Sequence, residues 1–170
     1  MKKTFKFSMC ALLSGLALLS FMLENLFPPL IIPGARMGIS NVFILLAIFM
    51  LGKWYAFAVL IIKCVLGSIF AGNPSAMLYS IPSGVISLLI QMLLILKVKN
   101  LSLVSISILG AVINITIQNV VFCIIGNALI YMYYLPYLLL VSLLSGLIVG
   151  CATLLLVKKL PEKLFDKTNE

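Results

Sequence analysis

Along its length the chain alternates long apolar runs with short polar breaks. The apolar runs cover about residues 8–27, 38–51, 55–71, 76–96, 103–125 and 137–157. Most approach 20 residues, enough for a helix to cross roughly 30 Å of hydrocarbon. The breaks carry helix-stopping residues. Pro28-Pro29 and Pro33-Gly34 follow the first run, Gly52-Lys53 the second, and Gly72-Asn73-Pro74-Ser75 the third. Lys97, Lys99 and Asn100 follow the fourth, and the tyrosine-rich stretch 126–136 follows the fifth. The pattern predicts one all-α integral membrane domain, residues 1–170, built as a six-transmembrane-helix bundle. Its second helix is short for a span, and 158–170 forms a basic tail. The first run ends in Glu24-Asn25 and prolines rather than a small-residue cleavage site, so it reads as a retained helix.

Composition agrees. The chain of 170 residues is 64% hydrophobic and 9% charged, against about 25% charged in soluble domains. Lipid is the solvent such a surface needs. The runs are too continuous for the alternating strands of a membrane barrel. The net charge of +8 is a topology signal, not a nucleic-acid footprint. With the N-terminus inside, Lys2, Lys3, Lys6, Lys53, Lys97, Lys99, Lys158, Lys159, Lys163 and Lys167 are all cytoplasmic, and Arg36 alone lies in an outer loop. The positive-inside rule then places both termini in the cytoplasm. Trp54-Tyr55 and Tyr131, Tyr133, Tyr134 and Tyr137 mark the interfaces where amphipathic rings settle.

The chemistry is sparse. No histidine occurs, which removes the commonest general base and metal ligand. Cys10, Cys64, Cys123 and Cys151 fall in four different runs without a CxxC pair. A phosphate-binding Gly-rich loop is missing, and Asp166 is the only aspartate. The chain therefore reads as no enzyme, with no metal, no cofactor and no catalytic residues. Paired aspartates that would hold magnesium against a diphosphate are lacking.

What remains is a set of polar residues within or beside helices. Glu24 and Asn25 end the first, and Arg36 and Asn41 head the second. Lys63 lies near the middle of the third, Asn73 in the turn after it, and Asn114 and Gln118 one helical turn apart in the fifth. These are the candidate ligand-binding residues. A charge at mid-depth is costly and faces a protein interior or a wet cavity. Lys63 reads either as a structural partner of amides and carbonyls or as a grip for an anionic group. Arg36 reads as a bidentate anion grip or as a lipid-headgroup contact. Asn114 and Gln118 read as interhelical glue or as a cavity wall. In the first helix Ala11, Ser14 and Gly15 let another helix approach closely, within the bundle or from a partner.

The block Glu24-Asn25, Pro28-Pro29, Pro33-Gly34, Arg36, Gly38-Ile39-Ser40-Asn41 is followed by Gly72-Asn73-Pro74-Ser75 with Tyr79-Ser80 and Gly84. This pattern resembles the Gx transporter family, also labelled heptaprenyl diphosphate synthase component I, over nearly the whole chain. Such proteins are similar to the substrate-binding S components of energy-coupling-factor (ECF) transporters. The resemblance implies an ECF S-component-like bundle in a bacterial cell membrane, with a pocket near the outer face for a vitamin-, flavin- or isoprenoid-related molecule. It also implies a docking face on the first helix for a coupling transmembrane subunit with ATPases, and makes the turn between the first two helices a lid. The alternative is a non-transport membrane subunit of a flavin- or quinone-linked electron-transfer system, or of menaquinone or heptaprenyl diphosphate synthesis.

Overall fold

The computed structural model describes residues 3–26 (without the side chains of 25 and 26), 38–98, 101–127 and 129–160. Among these are six α-helices: α1 Lys3–Leu26, α2 Asn41–Leu51, α3 Lys53–Phe70, α4 Ala76–Lys97, α5 Leu103–Ile125 and α6 Leu135–Lys159. A 3-10 segment, Leu129–Tyr134, leads into α6. Five of the helices are long and apolar enough to cross a membrane, and α2 is the short one. The protein is a multi-pass membrane protein. α1 begins at Lys3, earlier than the apolar run, because its lysine-bearing first turns continue the same helix.

Local signals set the ends. The Ser102 hydroxyl accepts from the backbone N–H of Ser105 and caps α5. Pro136 occupies the first turn of α6, where its missing N–H costs nothing. Gly52 joins α2 directly to α3 at φ +91°, a conformation that side chains disfavour.

Contacts between helices fix their directions. α1 and α3 run parallel, with Cys10 Sγ at the Tyr55 carbonyl and Phe21 against Gly67. α3 and α4 are antiparallel, since Cys64 Sγ meets the Ser80 carbonyl while Leu60 meets Gly84. α4 and α5 are antiparallel through Ser87 Oγ, which donates to the Gly110 carbonyl at 2.7 Å, and through the Tyr79–Phe122 ring pair. α5 and α6 cross where Gly146 lies over Ile108 and Gly150 over Val104. Hence α1, α3 and α5 run one way, and α2, α4 and α6 the other. Lys3, Lys6, Lys53, Lys97, Lys158 and Lys159 consequently gather at one end of the bundle, and of the described lysines Lys63 alone lies away from it.

α2 is the centre. It packs against α1, α3 and α6, and eight of its 11 residues are buried. Leu45, Leu46, Ala47, Met50 and Leu51 join Leu13, Ala17, Val59, Leu60, Leu88 and Ile106 in one apolar cluster. At about 1.5 Å per residue α2 is roughly 16 Å long, about half the hydrocarbon thickness. Its first turn is therefore inside the bundle, not at its rim.

Close helix approach comes from α6. Ser142, Gly146 and Gly150 recur every fourth residue, the small-xxx-small spacing that lets backbones meet. A Cβ on Gly146 would stand 2.8 Å from the Ile108 Cα, and one on Gly150 would stand 2.8 Å from the Val104 Cα. By contrast a Cβ on Gly15 would meet nothing within 4 Å among the described residues. Gly146→Leu is expected to lower stability by about 1–3 kcal/mol through forced separation of α5 and α6, while Gly15→Leu leaves the isolated chain unchanged. Thermal unfolding of the two variants in detergent measures this. Equal melting temperatures would contradict the assigned packing.

Candidate functional site

Most charged and amide side chains of the bundle interior gather on the side of α2 away from the lysine-rich end. At the end of α1, the Glu24 carboxylate accepts two backbone N–H groups, from Gly38 at 3.1 Å and Ser40 at 2.9 Å. Ser40 is the N-cap residue of α2, whose N–H a helix start leaves unsatisfied, and Gly38 belongs to the turn that leads into it; an anion there also meets the positive end of the helix dipole. Gly38 stands at φ +67°, which brings its N–H round to the carboxylate. In the adjacent first residue of α2, Asn41 Oδ1 accepts from Lys63 Nζ at 2.7 Å. Lys63 is ten residues into α3, about 15 Å from its start, and only 7% exposed. Its ammonium also lies 5.8 Å from the centroid of the Phe21 ring, within cation–π range.

These groups line a cavity of about 60 Å³ to which all six helices, or the residues leading into them, contribute. Its walls include Phe21 and Glu24 from α1, Ser40 and Asn41 from the start of α2, and Lys63 and Cys64 from α3. Ser80 and Ser83 come from α4, Asn114 and Gln118 from α5, and Ser142 and Ser145 from α6. A recess of about 20 Å³ shares Asn41, Leu60, Gly84 and Asn114 with it and runs on to Ser87 and Gln91. Typical small-molecule pockets hold ~300–1,000 Å³, so the chamber at this size admits a head group or a few waters.

Most hydroxyls near the chamber satisfy themselves on their own helix. Ser83 Oγ donates to the Ser80 carbonyl at 3.1 Å, Ser142 to Leu139 at 2.8 Å and Thr116 to Val112 at 2.7 Å. Asn114 Oδ1, Gln118 Nε2 and Ser80 Oγ are different: each is buried without a hydrogen-bond partner among the described residues.

Of the residues singled out in the sequence, Glu24, Asn41, Lys63, Asn114 and Gln118 come together on this chamber. Asn73 does not. It sits in the exposed turn between α3 and α4, where its Oδ1 accepts from Ser75 Oγ at 2.6 Å. The side chain of Asn25, Arg36 and the turn expected to act as a lid lie outside the described residues. Asn119, one position from Gln118, instead ties α5 to the 3-10 segment, its Nδ2 reaching the Tyr131 carbonyl at 3.5 Å. On α1, Ala11 and Gly15 are exposed, whereas Ser14 turns inward and is buried.

Sequence reasoning overlooked the serines. Ser80, Ser83 and Ser87 repeat at helical spacing on α4, as do Ser142 and Ser145 on α6. That periodic small polar stripe was the available signal. The backbone donors of Gly38 and Ser40 left no such trace.

Fold and site together define a multi-pass helical membrane protein with a polar chamber enclosed by its helices. The chain belongs to the family described as heptaprenyl diphosphate synthase component I, whose model matches residues 13–156. No curated protein and no solved structure matches the chain.

The Glu24 clamp makes a stability prediction. Glu24→Ala leaves two N–H groups of the α2 start unpaired, and is expected to cost about 2 kcal/mol or more. Glu24→Gln keeps one oxygen acceptor and should cost less. Thermal unfolding in lipid nanodiscs ranks the variants, and an Ala variant as stable as the parent would remove Glu24 from the framework.

Proposed function

We propose that the protein is a substrate-binding membrane subunit of an uptake system, similar in role to an ECF S component. The observation that carries this reading is the chamber. It places polar groups from every helix around one small space, and several of their atoms have no use within the fold. Interhelical glue would consume its own donors and acceptors. A receptor keeps some unspent for a solute. The solute is a small vitamin-, flavin- or isoprenoid-related molecule.

The lysine-rich end is the cytoplasmic face of a bacterial cell membrane in this reading, by the positive-inside rule, with both termini on that side. The chamber then lies toward the outer half, where an uptake receptor meets its solute. The family's name designates a component and so implies partner subunits. A coupling transmembrane subunit with ATPases would supply the energy this chain lacks a nucleotide site to provide. The exposed Ala11 and Gly15 on α1 are the docking surface in this scheme.

The second reading takes the family name at face value: a non-transport subunit of heptaprenyl diphosphate or menaquinone synthesis, or of a flavin- or quinone-linked electron-transfer system. The exposed face of α1 serves that reading equally well. Catalysis by this chain alone is not part of either, because its single aspartate, Asp166, cannot form the paired-carboxylate magnesium site of diphosphate chemistry.

Mild detergent extraction followed by mass spectrometry is expected to find one retained small molecule, at least tenfold depleted in Asn41→Ala. If neither a retained molecule nor binding of any tested vitamin or flavin is found, the receptor reading fails. For the partner, replacing Ala11 and Gly15 with Leu is expected to abolish co-purification with a coupling subunit while leaving the isolated chain folded. Undiminished recovery would show that α1 is not the docking face.

A further inference from the structure

The two orphaned amide atoms of α5 specify a ligand chemistry. Asn114 Oδ1 is an unused acceptor and Gln118 Nε2 an unused donor. Four residues apart, they stand on one face of the helix, and both residues line the chamber. Gln118 is only 7% exposed, so its donor has no ready access to bulk water. The same stretch of α5 wastes little elsewhere: Thr116 and Asn119 both find partners.

We propose that the chamber recognises an uncharged head group bearing an N–H donor beside a carbonyl acceptor, as in an amide, ureide or cyclic imide. In this arrangement Asn114 Oδ1 accepts from the ligand N–H, and Gln118 Nε2 donates to its carbonyl. A carboxamide can turn its two ends over, but the pair still demands one donor and one acceptor in return. The inference rests on the receptor reading and names the class of solute for it.

Charge argues for a neutral head group. Among the described residues the chamber's only charged lining groups are Glu24 and Lys63, one of each sign. Both oxygens of Glu24 accept backbone N–H groups, and Lys63 donates to Asn41. A phosphate or diphosphate would add two or more negative charges beside Glu24, against a single ammonium among the described residues, where desolvation makes unbalanced charge expensive. A carbonyl and an N–H bring no such imbalance. Size agrees, because a cavity of about 60 Å³ suits a compact head group rather than a whole large solute.

The test titrates the full chain in lipid nanodiscs by calorimetry with three probes: uracil, 1,3-dimethyluracil and inorganic pyrophosphate. Uracil presents the N–H and carbonyl edge, its dimethyl derivative has lost both N–H groups, and pyrophosphate presents charge. Uracil is expected to bind, dimethyluracil at least tenfold more weakly, and pyrophosphate neither to bind nor to displace uracil. Gln118→Met and, separately, Asn114→Leu should each weaken uracil at least tenfold. Without a probe, each should melt at the parent's temperature or above it, because a buried orphan has been removed. A helix-gluing role would instead lower both melting temperatures.

The proposal is overturned by pyrophosphate competing with uracil, by equal binding of uracil and dimethyluracil, or by variants that keep full uracil affinity. It is also overturned if the variants lose uracil binding only together with stability, or if no probe binds. The receptor reading is decided apart from these outcomes, by the retained molecule and its loss in Asn41→Ala.

Discussion

A helix that begins inside a bundle within a bilayer has to find partners for its first N–H groups, since hydrocarbon offers none. α2 is such a helix. It has 11 residues, turns directly into α3 at Gly52, and so reaches only about half the hydrocarbon thickness. Asn41 and Val42 turn their N–H groups back to the carbonyls of Gly38 and Ile39, and Glu24, from the far end of α1, accepts from the N-cap residue Ser40 and from Gly38 in the turn before it. The carboxylate and the helix start solve each other's problem: the amides stabilise an anion that lipid would reject, and the anion satisfies donors that lipid would leave bare. The chamber lies at the start of this half-length helix, lined there by Gly38, Ser40 and Asn41.

The surrounding helices are adapted to that space. α6 presents Ser142, Gly146 and Gly150 to α5, so the two backbones close tightly on one flank. α4 and α5 close through Ser87 on the Gly110 carbonyl, with Gln91 filling the room that Gly110 leaves. Toward the lysine-rich end the interior is mostly apolar, built from α2 and its neighbours, with the hydroxyls of Ser107 and Thr153 buried in it. The bundle is thus more apolar at one end and more polar at the other. That asymmetry follows from where α2 starts.

Much of this architecture was written locally in the chain. The apolar runs announced the helices, because span length and the scarcity of charge leave few alternatives in lipid. The breaks at Gly52 and Gly72 announced turns through the positive φ that both adopt. The shortness of the second run was visible too, but its central burial was not, since a uniformly apolar helix carries no moment to say which way it faces. The meeting of Glu24 with Ser40 joins residues 16 apart across a turn, and periodicity does not encode such a contact. Asn73 illustrates the converse. A polar residue in a turn motif looked like Asn114 in the sequence, yet its amide is absorbed by Ser75 in the same turn. The small-xxx-small spacing at Ala11 and Gly15 allows a close approach within the bundle or from a partner, and both residues are exposed in the isolated chain. The same spacing at Gly146 and Gly150 forms the contact within the bundle, because small-xxx-small states that a helix can be approached and not which helix approaches.

Unsatisfied polar atoms are unevenly distributed over the described residues: those of Ser14 and Ser68 lie away from the chamber, and three others lie on it. In a low-dielectric interior each buried orphan costs about 1–3 kcal/mol, and a fold under no other demand replaces it with an apolar group of similar shape. Ser83, Thr116, Ser142 and Thr153 show how easily hydroxyls are satisfied here, each returning to a carbonyl of its own helix. Asn114 and Gln118 are long enough to reach neighbours, yet Asn114 Oδ1 and Gln118 Nε2 find none. Of the five such atoms in the described residues, those of Ser80, Asn114 and Gln118 belong to residues lining the chamber. Three of the five thus border one small space, and this clustering is the feature on which the proposed receptor role rests.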